Sequence, residues 1–185
     1  MSGTANTPRI PLLERDQVTP EVANVYDALL KARGVVPNMF KTLAHTPALA
    51  LATAGYLKAL LSDGALAGSY KELIALRLSV VLSSEYATKA HALSARQKGA
   101  SGAQIAAARG DYENGPFTEV EKLGFRAAER LHRSPAEITD EFFATLKQHF
   151  TDSQIVELVA AASAFELFPR FVDGLRIPIT PAPDG

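Results

Sequence analysis

The chain has 185 residues, 47% hydrophobic and 21% charged, with 19 Lys and Arg against 20 Asp and Glu. That length fits one ordinary globular domain with a sizeable core, and the average composition excludes disordered, collagen-like and fibrous classes. A near-neutral balance gives no footprint for nucleic acid or an anionic membrane, and the absence of cysteine removes disulfides, thiolate metal sites and cysteine-based catalysis.

Residues 1–8 lack the basic flank and apolar stretch of a signal peptide and read as an N-terminal extension. Val22, Val25, Tyr26, Leu29 and Leu30 recur at the spacing of one helix face. Thr19 and Pro20 open that helix as N-cap and first-turn proline, and Gly34 closes it. Thr46 and Pro47 repeat the signal for a helix over 48–61, ending at Asp63-Gly64. Further on, Ser69/Glu72, Ser101/Gln104, Thr118/Glu121, Ser134/Glu137 and Thr151/Gln154 have the spacing of capping boxes. Segments 69–76 and 151–158 match in cap spacing and apolar positions, as a duplicated helix pair would, although any two amphipathic helices share much of that pattern.

Residues 110–116 form the best interior break and read as a loop within one domain. Residues 175–180 are a candidate extended stretch. The prolines of the tail 177–185 cannot continue a helix, so the tail is expected to run extended over the surface or onto a partner subunit. The expected fold class is all-α, with about seven to nine helices. A single domain is expected over 9–179, followed by a C-terminal tail over 180–185. No apolar run approaches the roughly 18–20 residues of a membrane span, because the best candidate, 73–82, is interrupted by Arg77 and Ser79. The expectation is a cytoplasmic protein with neither membrane nor nucleic-acid partners.

Acid–base chemistry near neutral pH points to histidine, and the chain has four. His45 precedes a cap and reads as a turn residue, His132 as a solvated helix end, and His149 as a cation complementing a helix dipole. His91 lies about two turns into a helix opening near Ser84, among Ala87, Ala90, Ala92 and Ala95, which leave room above an imidazole. The preceding helix carries Glu72 and Arg77 in an apolar run, and a carboxylate from it could orient the ring. Against this, a glutamate used only in the Ser69/Glu72 capping box needs no histidine. No H-x-x-x-H, H-x-H or H-E-x-x-H spacing occurs, so no metal site is expected.

Glu72, then Ser84-Glu85-Tyr86-Ala87, then Ala90-His91 resembles the core signature of the carboxymuconolactone decarboxylase and alkylhydroperoxidase-D superfamily. In its peroxidase branch a Glu precedes a C-x-x-C pair by twelve residues and a His follows the first Cys by seven, the separations of Glu72, Ser84 and His91 here. Arg9-Ile-Pro-Leu-Leu13, Gly34-Val-Val-Pro-Asn-Met-Phe40, His45-Thr-Pro47 and Phe168-Pro-Arg-Phe-Val-Asp-Gly-Leu175 extend the likeness over most of 9–179. The resemblance implies an alkylhydroperoxidase D-like helical bundle, assembled as a homo-oligomer, commonly a trimer or hexamer with sites near subunit interfaces. The departure is that Ser84 and Ala87 replace both redox cysteines, so thiol peroxidase chemistry is excluded. Nor can Ser84 be a nucleophile served by His91, because seven residues of helix span about 10.5 Å.

The remaining set resembles the decarboxylase branch, whose chemistry uses no cysteine and no cofactor. That resemblance implies a lyase or isomerase acting on a small carboxylated or lactone-type substrate. His91 would be the acid, Glu72 the group that holds it, and Tyr86 a third catalytic candidate. Arg77 and Ser84 would bind substrate, with residues such as Met39, Phe40, Tyr56 and Leu57 lining a largely apolar pocket. The branch usually has a further His beside a Glu in this segment, and here Glu85 stands without one. The alternative reading is a non-catalytic oligomeric member that binds a ligand or partner.

Overall fold

The computed structural model describes residues 7–183, so most of the expected N-terminal extension, and Asp184 and Gly185 of the tail, lie outside the described residues. Among the described residues the chain is all-α, with no strand. The helices are α1 (Pro20–Arg33), α2 (Asn38–Leu43), α3 (Pro47–Leu61), α4 (Gly68–Val81), α5 (Glu85–Gln97), α6 (Gly102–Arg109), α7 (Glu119–Arg133), α8 (Asp140–His149) and α9 (Asp152–Gly174), with 3-10 turns at Arg15–Gln17 and Pro135–Glu137. They divide into two compact units: residues up to Ala59 with those from Arg170 onward, and Leu60–Pro169.

In the first unit α1 ends as expected, with Gly34 left-handed at φ +74° and its N–H returned to Leu30 O. Val22, Tyr26, Phe40, Leu43, Val172 and Ile177 are buried there. The stretch 175–180 forms no strand. Arg176 turns left-handed at φ +52°, and Ile177 N–H bonds back to Val172 O in a Schellman closure. The tail is then held on α2, where Asn38 N–H donates to Thr180 Oγ1 at 2.9 Å and Asn38 Nδ2 to Pro178 O at 3.0 Å.

The second unit is built around α4, which packs against α5, α6 and α7. Tyr70, Leu73, Ile74, Ala75, Leu76 and Leu78 are all buried, so α4 is apolar nearly all round, as a central helix must be. Phe125 of α7 is fully buried and stacks on Tyr112 at 4.8 Å, with Tyr70 edge-on at 5.7 Å. The loop 110–116 is tied down by Arg77, which donates to Gly110 O, and by Arg126, which pairs with Glu113. Glu157 of α9 clamps the α3–α4 connection. Its carboxylate accepts from Ala65 N–H at 2.9 Å, Leu66 N–H at 3.0 Å and the buried Lys71 Nζ at 2.8 Å.

Three of the five expected capping boxes form, at Ser101/Gln104, Thr118/Glu121 and Thr151/Gln154. Ser134 instead starts a 3-10 turn, with Glu137 paired to Arg133. Ser69/Glu72 is corrected as well. The N-cap of α4 is Ala67, two residues before Ser69, and Asp63 Oδ1 accepts the Gly68 N–H, which leaves Glu72 for other partners. The likeness of 69–76 to 151–158 therefore lies in apolar spacing and does not extend to the cap.

Candidate acid–base site

Helices α4 and α5 form an antiparallel hairpin whose turn sets the register of the site. Ser83 is left-handed at φ +57°, Ser84 N–H returns to Ser79 O, and Ser84 Oγ then caps α5 by accepting Ala87 N–H. Glu72 and Ser94 lie eleven residues to either side of Ser83, so they face each other across the hairpin. His91 and Lys98 flank Ser94 at three residues before and four after, on one face of α5 and its C-cap.

Three donors therefore converge on one carboxylate. His91 Nδ1 lies 2.7 Å from Glu72 Oε2, and both Ser94 Oγ and Lys98 Nζ donate to Oε1 at 2.7 Å. Lys98 also donates to Leu61 O at 2.7 Å, tying in the end of α3. The Glu72 side chain is 1% exposed and that of His91 12%. Phe165 of α9 meets the imidazole edge-on, with centroids 4.3 Å apart.

Burial alone would push the Glu72 carboxyl up. The hydrogen bond and charge of His91, joined by those of Lys98, outweigh it and bring the group down to about 2. Glu72 is thus a carboxylate at neutral pH and can only accept, so the shared proton sits on His91 Nδ1. His91 Nε2 makes no hydrogen bond among the described residues. It carries a lone pair in the neutral ring and an N–H in the imidazolium, so the arrangement can take up and return a proton at one fixed atom.

The other residues singled out from sequence are placed differently. Arg77 lies about 140° round α4 from Glu72, at about 100° per residue. Its guanidinium bonds Glu129 Oε1 at 2.6 Å and Gly110 O at 2.9 Å and lies over the Tyr112 ring, so it is not brought to His91. Tyr86 is buried in the first turn of α5, about 140° from His91 by the same count. Ser84 is buried as the α5 cap. Glu85 is at the surface, paired with Lys89 one turn on. Met39 and Phe40 are buried and Tyr56 is exposed, all in the first unit.

His132 is not a solvated helix end. Its Nδ1 lies 2.6 Å from Glu166 Oε1 and the pair is half-buried. His45 Nε2 bonds Pro11 O at 2.8 Å in the first unit, as a structural turn residue would. A small apolar cavity of about 40 Å³ lies between α7, α8 and α9, lined by Ala128, Leu131, Leu146, Leu158 and Ala162 among others, and no residue of the Glu72 centre lines it. Among the described residues no group of three or more His, Asp or Glu is placed to hold a metal ion, and no helix is long and apolar enough to cross a membrane.

Sequence reading missed Ser94, Lys98 and Phe165. The first two share the stripe that carries His91, which is a readable signal, whereas nothing local marks Phe165.

Residues 47–130, which span the hairpin, match the carboxymuconolactone decarboxylase family. The fold is similar to an uncharacterized peroxidase-related protein from Silicibacter sp. TM1040, with TM-score 0.86 and 20% identity over 95% of this chain and 92% of that one. It is equally similar, at TM-score 0.86 and 23% identity, to an alkylhydroperoxidase AhpD core protein from Ralstonia eutropha JMP134, over 93% of this chain and 92% of that one. The debrominase Bmp8, in a cysteine-to-alanine form complexed with 2,3,4-tribromopyrrole, superposes with TM-score 0.81 at 22% identity, over 98% of this chain and 94% of that one. No curated protein matches the sequence.

Proposed function

We propose that this cysteine-free chain, whose residues 47–130 match the carboxymuconolactone decarboxylase family, is a cofactor-free lyase or isomerase working by proton transfer at His91. The observation that carries this reading is the 2.7 Å contact of His91 Nδ1 with a buried, ionised Glu72, which leaves Nε2 to exchange protons. The substrate is a small carboxylated or lactone-type metabolite. The ring-shaped tribromopyrrole held by the structurally similar debrominase supports a ring-derived one.

In the decarboxylation of a carboxylated lactone the carbon–carboxylate bond breaks and carbon dioxide leaves. The electron pair passes into the lactone carbonyl as a dienolate. His91 Nε2–H then protonates carbon, and the neutral ring recovers a proton from water. Glu72 fixes the ring and offsets its charge while it is protonated. Two expectations change with the geometry. Arg77 is committed to Glu129, and Ser84 to its cap, so neither is assigned to substrate here.

The same reading has the chain working as a homo-oligomer. Helix α3 supports this, since it carries one charged residue, Lys58, yet exposes Leu49, Leu51 and Tyr56.

The test is NMR-monitored incubation with a panel of carboxylated lactones and β-keto acids in D₂O. Wild type is expected to release carbon dioxide or incorporate deuterium. His91→Ala is expected to lose about a hundredfold or more of that rate with its helical circular dichroism intact. An inert wild type, or an active His91→Ala, would overturn the reading; an inert wild type would favour the non-catalytic binding member.

A further inference from the structure

The centre holds more charge than orienting one imidazole requires. A single carboxylate oxygen fixes His91, yet the other oxygen of Glu72 takes two further donors, one of them an ammonium. Lys98 brings that ammonium on a side chain 32% exposed, anchored from behind by Leu61 O. The other charges named on the surrounding elements are either engaged elsewhere or exposed. On α4, Lys71 and Arg77 pair with Glu157 and Glu129. Asp63, before α4, takes the Gly68 amide. On α5, Lys89 pairs with Glu85 and Arg96 is exposed, while Arg109 is exposed at the end of α6. On α9, Glu166 pairs with His132, and what faces the ring is Phe165.

We propose that Lys98 is a positioning residue of this centre. By sharing the Glu72 carboxylate with His91, it sets how readily the imidazole accepts its second proton, at Nε2. This deepens the acid–base reading and rests on it. With Lys98 in place, the negative charge that would stabilise an imidazolium is already partly balanced by a fixed cation on the neighbouring oxygen. Without Lys98 the carboxylate acts on the ring alone, and the Glu72–His91 pair holds its extra proton to higher pH. If Lys98 serves only to cap the end of α3 at Leu61, its loss would lower stability and leave the titration where it is.

The experiment is a pH titration of the His91 imidazole by heteronuclear NMR on the full chain, assigned with His91→Gln. Lys98→Met is expected to raise the midpoint by about one pH unit or more, as removal of a charge at this range implies. Lys98→Arg keeps the cation and is expected to leave the midpoint near that of wild type. Ser94→Ala, which removes only a neutral donor, is expected to move it less than Lys98→Met does. Should Lys98→Met not fold, Lys98→Gln carries the same expectation, because it keeps a donor for Glu72 without the charge. An unmoved midpoint in a folded, uncharged variant overturns the proposal. The readout needs no substrate, so an inert wild type would sink the proposed reaction while leaving the role of Lys98 to be decided by the titration itself.

Discussion

A carboxylate that is almost wholly buried and still ionised makes stability depend on pH in a definite direction. Glu72 titrates at about 2 in the folded chain against an ordinary value of 4.5. Its contribution is therefore fully present above about 4.5 and is lost as pH falls through about 2; the gap corresponds to about 3 kcal/mol. Urea unfolding of wild type and Glu72→Gln at pH 6 and near pH 2.5 checks this. The difference between the two proteins should shrink toward the acid end, and parallel curves would contradict an ionised Glu72. Glu72 and His91 were legible in the sequence because their spacing about the Ser83 turn is preserved in the resemblance. Lys98 was harder to read, because a lysine at a helix end also serves the helix dipole. Arg77 stood out as a lone cation in an apolar run, but its direction depends on which partner the neighbouring helix offers, and Glu129 is on α7.

Helix starts show where a local pattern suffices and where it does not. At Ser101, Thr118 and Thr151 a side-chain oxygen of the glutamate or glutamine stays with the cap, and the reciprocal cap forms. At Ser69 the Asp63 side chain takes the Gly68 amide, and three donors from α5 and its C-cap claim Glu72. The expected outcome of substitution separates the two cases. Thr118→Ala should cost about 1 kcal/mol in thermal or denaturant unfolding, whereas Ser69→Ala should stay within about 0.5 kcal/mol. Equal losses would mean that Ser69 does cap α4. The all-α class, the opening of α1 and most helix boundaries were legible because apolar periodicity and caps agree along the chain. The left-handed closures at Ser83 and Arg176 were not, since neither position carries the glycine that usually marks such a turn.

For the whole molecule, a formal charge of −1 leaves little self-repulsion to keep copies apart. The homo-oligomer proposed above is expected to sediment as a trimer or hexamer at neutral pH, and a monomer across micromolar concentrations would overturn it. One arrangement also bears on the order in which the protein is made. Glu72 and His91 emerge from the ribosome well before α9, yet α9 supplies both the Phe165 ring against the imidazole and the Glu157 clamp on the loop leading into α4. A growing chain halted after α8 would carry Glu72 and His91 without the Phe165 wall and with the loop before α4 untethered. Translation thus places the Glu72–His91 pair early and its enclosure by α9 late.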